Sequence, residues 1–81
     1  MTLIELVQKL LDPASLRDDI FFREALNTVL RDTETTAIDL AAALSVSKTV
    51  VLRWADGTSI PHDLMRKPVF RVLLRSIELP R

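Results

Sequence analysis

Cysteine is absent from this sequence of 81 residues, glycine occurs once and histidine once. Without thiols there is no disulfide framework and no thiolate nucleophile, and one histidine (His62) with no cysteine leaves no zinc-ligand set. A single glycine, Gly57, also rules out a glycine-rich phosphate loop. No apolar run approaches the ~20 residues a membrane span needs, and no basic flank precedes an unbroken apolar stretch at the N-terminus. A cytoplasmic protein without metal or cofactor is expected. His62 beside Asp63 could be read as a metal ligand or an acid–base pair, but a loop histidine more often meets a phosphate or solvent, and no catalytic group is expected.

Charge of one sign is also lacking: eleven basic side chains face eleven acidic ones. That sum, taken alone, argues against a polyanionic partner. The distribution says more. Residues 1–35 carry four basic and seven acidic side chains, a balance of −3, and residues 36–81 carry seven and four, a balance of +3. A surface facing a polyanion would therefore lie in the C-terminal half.

What is present is a hydrophobic content of 48%, patterned for helices. Thr2 followed by Glu5 has capping-box spacing, and Leu3, Leu6, Val7 and Leu10 recur at helical intervals until Asp12-Pro13, predicting a first helix over about residues 3–11. A second starts between Ser15 and Asp19 and places Phe22, Ala25, Leu26, Val29 and Leu30 on one face. Thr36 with Asp39 repeats the capping signature ahead of Ala37, Leu40, Ala41 and Leu44. Ser45-Val46 interrupts, Ser47 caps a helix running to about Ala55, and Gly57 sits where a left-handed residue ends it. Pro61 opens a turn, and Pro68 suits the first position of a last helix reaching about Glu78. The expected fold is all-α, a bundle of five to six short helices, with residues 1–14 as an extra N-terminal helix on a domain of residues 15–81.

Two short helices about three residues apart, the second with Trp54 near its end and Gly57 just beyond, have the form of a helix-turn-helix. Leu40-Ala41, Leu44, Val46-Ser47, Val51, Arg53-Trp54, Gly57 and Pro61 stand at a spacing that resembles the phage-repressor/Cro-like (Xre-type) helix-turn-helix family. The resemblance is specific over residues 36–61 and looser over residues 16–78. It implies a lambda-repressor-like fold, sequence-specific binding of double-stranded DNA, and transcriptional regulation, more often repression. Three positions depart from the family pattern. Ser45 stands where glycine is common, Ala37 where glutamine grips a phosphate, and Leu52 where a small polar residue is usual.

Helical geometry separates readers from core. With Val51 facing inward and about 100° per residue, Ser47, Trp54 and Ala55 fall within ~60° of it, whereas Thr49 falls near 160° and Arg53 near 200°. Thr49 and Arg53 therefore point outward, one turn apart. Lys48 and Leu52 flank that face, at positions where the family uses side chains on bases or phosphates. Arg53 has the paired donors for guanine, Thr49 suits a hydrogen bond or a thymine methyl, and Leu52 offers apolar contact only. Lys48 fits a base or a phosphate. The helix N-termini at Thr36 and Ser47 suit phosphates. The resemblance adds Thr58, Ser59, His62 and Arg66, in the loop that often follows the DNA backbone in this family.

A homodimer is expected through the last helix, whose apolar residues cover an arc of about 200°, wider than one core contact needs. Phe70, Leu74 and Ile77 are the surplus, and two-fold pairing would set two reading helices about 34 Å apart. The N-terminal helix could instead cover Phe70 and Leu74 within one chain. A second function, from another class, is a protein-interaction module, such as an antitoxin or regulatory subunit, favoured by zero net charge and by Leu52, which could equally lie buried or in a protein interface.

Overall fold

The N-cap side chains set where the helices begin. In a computed structural model, which describes residues 2–78, the Thr2 hydroxyl accepts the Glu5 N–H (3.1 Å) and starts α1, Leu3–Leu10. Asp12 accepts the Ala14 N–H (3.0 Å) and opens a short 3-10 helix, Pro13–Arg17. The chain then extends at Asp18, whose carboxylate accepts the Phe21 N–H (3.0 Å) and starts α2, Asp19–Asp32. The start expected between Ser15 and Asp19 is thus two elements, because two aspartates six residues apart each cap their own turn.

Thr36 and Asp39 form a reciprocal capping box at the head of α3, Ala37–Leu44. Ser47 caps α4, Lys48–Asp56, through the Val50 N–H (3.2 Å). Between them Ser45 takes φ +59°, a left-handed conformation at which glycine is the permissive residue. The reversal is held by Val46 N–H to the Ala41 carbonyl (3.0 Å).

The last helix differs from expectation. α5 spans Asp63–Glu78 with Pro68 inside it rather than at its start. His62 begins it: its Nδ1 accepts the Leu64 N–H (3.2 Å) and its carbonyl accepts the Met65 N–H (2.8 Å). Pro68 offers no N–H to the Leu64 carbonyl, but Leu64 is exposed and water can take that place. No strand occurs among the described residues.

One cluster of apolar side chains fills the centre. Phe22 packs on Trp54 of α4 (6.1 Å, edge-on) and on Phe70 of α5 (6.3 Å, stacked), while Phe21 meets Phe70 edge-on at 5.7 Å. α1 lays Leu6 and Leu10 against the same core, chiefly over α5.

This packing corrects one sequence assignment. Phe70 is only 3% exposed, so it is core and not a dimer contact. Leu74 and Ile77 are half-buried, and Leu74 shares a groove with Leu10, Leu11 and Leu16. The wide apolar arc of α5 serves α2 on one flank and α1 on the other.

Arg66 is 6% exposed and unavailable to a phosphate. Its guanidinium donates to the Leu16 carbonyl (2.9 Å) and the Pro61 carbonyl (3.5 Å), and pairs with Asp19 (2.6 Å). One planar fork therefore ties the 3-10 helix, the start of α2, the loop before α5 and α5 itself. Replacing it leaves part-buried carbonyls without donors. Arg66→Ala is expected to lower stability by about 2–3 kcal/mol. Arg66→Lys should recover little of this, since an ammonium cannot reproduce the fork. Thermal melts check both, and a lysine variant melting with wild type would contradict the clamp.

Candidate nucleic-acid interface

The candidate surface belongs to α4, and its construction begins with what α4 buries. Val51 and Trp54 enter the core; Lys48, Thr49, Leu52 and Arg53 are exposed along the outer face, and Asp56 is exposed at the last position. This is the division that the helical angles predict. None of the four makes a side-chain hydrogen bond or ion pair among the described residues, so all four are free to meet another molecule.

The orientation of α4 is fixed from α2. Asn27 Nδ2 donates to the Ala55 carbonyl (2.7 Å) and to the Arg23 carbonyl (3.0 Å), and Arg23 Nε donates to Ala55 at 3.4 Å. These donors satisfy a carbonyl at the open end of α4, where the helix dipole favours positive charge. Gly57 closes the helix at φ +84°, and a Cβ there would lie 2.9 Å from Arg23 Nη1. The turn needs glycine for its backbone angle, and the exposed Arg23 guanidinium would have to move aside for any side chain there. The sequence places Arg23 and Asn27 on the polar face of their helix and gives no sign of this role. Their partner is about thirty residues away.

The expected phosphate contacts divide. At the head of α4, Ser47 is exposed and no acidic residue lies in the first turn, so the N–H groups there face solvent beside Lys48. At the head of α3, the Thr36 N–H donates to Asp39 (2.9 Å), and that carboxylate opposes an anion. Thr58 is exposed but engaged with Asp56, to which its N–H donates at 2.7 Å. Ser59 is half-buried and its N–H returns to the Arg53 carbonyl (3.2 Å). His62 is exposed with Nδ1 accepting from Leu64, which leaves the proton on Nε2 directed outward. The structure thus brings Lys48, Thr49, Leu52 and Arg53 together on α4 and removes Arg66 from the set.

No family model, curated protein or solved structure matches the chain. What the surface can do is therefore argued from its chemistry. Two cations and a hydroxyl stand on a helix face with an apolar side chain between them. No three metal-binding side chains gather anywhere among the described residues, and none of their helices is long and apolar enough to cross a membrane.

Hydrogen bonds from Thr58, with the nearby Arg23 and Arg53 charges, hold the Asp56 carboxyl below its ordinary value of 3.8. A carboxylate so depressed stabilises the fold above the unfolded value, and the contribution is lost as pH falls through the lower folded value. Asp56→Ala is therefore expected to lower the urea midpoint at neutral pH, with the gap to wild type narrowing below about pH 4. Titrating both proteins in urea checks it. A gap that stays constant to about pH 2 would contradict the linkage.

Proposed function

We propose that the chain binds double-stranded DNA sequence-specifically, with α3 and α4 as a helix-turn-helix and α4 in the major groove. The observation that carries this reading is that α4, held by its buried face and its capped end, exposes Lys48, Thr49, Leu52 and Arg53 with no side-chain hydrogen bond or ion pair among the described residues. A helix fixed at both ends presents its side chains from a backbone already ordered, so that binding costs only their own rotamer freedom. Arg53 pairs with guanine O6 and N7, Thr49 reads the adjacent step, and Leu52 favours a thymine methyl. Ser47, Lys48 and His62 Nε2 take phosphates around it. Occupation of a promoter by such a domain regulates transcription, in the repressing sense where it excludes polymerase.

The three-residue reversal at Ser45, the glycine stop at Gly57 and the match of residues 36–61 to the repressor/Cro-like pattern support the same reading. A protein-interaction module is the second reading, favoured by Leu52, which is 45% exposed in the middle of the surface. Salt separates them. Binding to DNA weakens steeply as salt rises, by about 0.9 log unit per phosphate contact for each log unit of salt, whereas docking on an apolar patch does not.

Arg53→Ala is expected to weaken specific binding by about 1–3 kcal/mol and to relax preference at one base pair, while nonspecific binding changes less. Selection from a randomised duplex library, run on wild type and variant, checks this. No enrichment by wild type would overturn the proposed function, and identical preferences in both proteins would overturn the role of Arg53.

A further inference from the structure

Between the end of α1 and α5 runs an open groove of about 220 Å³ that the proposed role of α4 does not use. Its floor is apolar, made by Leu10, Leu16, Phe70 and Leu74, and Leu11, 65% exposed, stands on its rim. Its walls are charged and opposite in sign: Asp12 on the α1 side, Lys67 and Arg71 on α5. Lys67 and Arg71 are exposed, one turn apart, and without an ion pair among the described residues. Asp12 uses one oxygen to cap Ala14 and forms no ion pair among them.

We propose that the α1–α5 groove receives an amphipathic helix of another protein, acidic along one flank only, with that flank over Lys67 and Arg71. Floor and walls each narrow the choice of occupant. The volume lies below the ~300–1,000 Å³ of sites that enclose a small molecule, so the apolar floor suits a row of side chains laid in from outside. No strand edge is on offer among the described residues, which leaves a helix as the regular element that lays such a row into a groove. Apolar side chains three and four residues apart on the occupant cover Leu11, Leu16 and Leu74. Carboxylates four residues apart on it rise about 6 Å along its axis, the same rise that separates Lys67 from Arg71. Asp12 sets the other condition. A nucleic-acid backbone, or a helix acidic on both flanks, meets it with like charge, whereas a neutral or basic second flank does not.

The surface is separate from α4. α1 packs chiefly on α5 and the 3-10 helix, and none of the groove's residues belongs to α4. Binding there is read with peptide alone and needs no nucleic acid, so it does not depend on the proposed role of α4.

The test uses the whole chain and three fluorescent peptides of about 18 residues, long enough for about five helical turns. All carry the same leucine stripe; the first has glutamate along a single flank, the second lysine in those places, and the third glutamate along both flanks. Anisotropy is expected to give a dissociation constant below about 200 µM for the first, binding at least about tenfold weaker for the second, and an intermediate value for the third. Lys67→Glu with Arg71→Glu should reverse the preference between the first two, and Lys67→Gln with Arg71→Gln should abolish it, with circular dichroism checking that these exposed replacements leave the helices formed. Asp12→Asn, which keeps a capping oxygen, should bring the third peptide level with the first. No binding of the first peptide at the highest concentration, equal binding of the first two, a third peptide bound by wild type as tightly as the first, or a preference unchanged in both charge variants would each overturn the inference. So would binding lost in Arg53→Glu and kept in the α5 variants, which would place the peptide on α4.

Discussion

The positions of α4 and α5 depend on Phe22. Its ring meets Trp54 of α4 edge-on and Phe70 of α5 in a stack, so one side chain on α2 determines where two further helices sit. Aromatic pairs of this geometry contribute about 0.5–1.5 kcal/mol each beyond their buried area. A domain of this length has only about 4–12 kcal/mol of total stability. Emptying the Phe22 site, at about 3–5 kcal/mol, therefore removes a large share of what holds the molecule folded. The exposed face of α4 inherits its direction from that contact, because Trp54 inward fixes Thr49 and Arg53 outward.

Polar groups refine what the rings establish. Asn27 and Arg23 close the end of α4, and Arg66 closes the corner where the 3-10 helix, α2 and α5 converge. Both devices use side chains from one helix to satisfy backbone carbonyls of another, the groups that a helix end or a loop leaves open. Each also forbids alternatives. Closing α4 at Gly57 in a left-handed conformation disfavours any side chain at that turn, and Arg66 withdraws a cation from the surface to which its neighbours in sequence would assign it.

The parts legible in the sequence are those fixed within about four residues. Thr2, Thr36 and Ser47 cap as their spacing predicts, Gly57 takes the left-handed stop, and the outward face of α4 follows from counting around one helix. The parts that were not legible depend on contacts distant in sequence. Arg66 meets the Leu16 carbonyl fifty residues away, and nothing near position 66 announces it. Phe70 belongs to an arc wide enough for a partner, and only the docking of α1 and α2 shows that the chain itself fills it. Pro68 misleads for a different reason: the rule that proline starts helices competes with the cap at His62, and the cap, six residues earlier, prevails because Leu64 is exposed and water can reach the carbonyl that Pro68 leaves unpaired.

The neutral sum of charge conceals an arrangement that bears on the proposed surface of α4. α4 exposes Lys48 and Arg53, with no acidic residue in its first turn; its one carboxylate, Asp56, is engaged with Thr58 at the far end. The α1–α5 groove instead carries both signs on facing walls. A polyanion is attracted to the first pattern and gains little from the second, where Asp12 stands against it. Zero net charge over the chain therefore weighs little against a polyanionic partner, because such a partner meets the local sign pattern and not the sum.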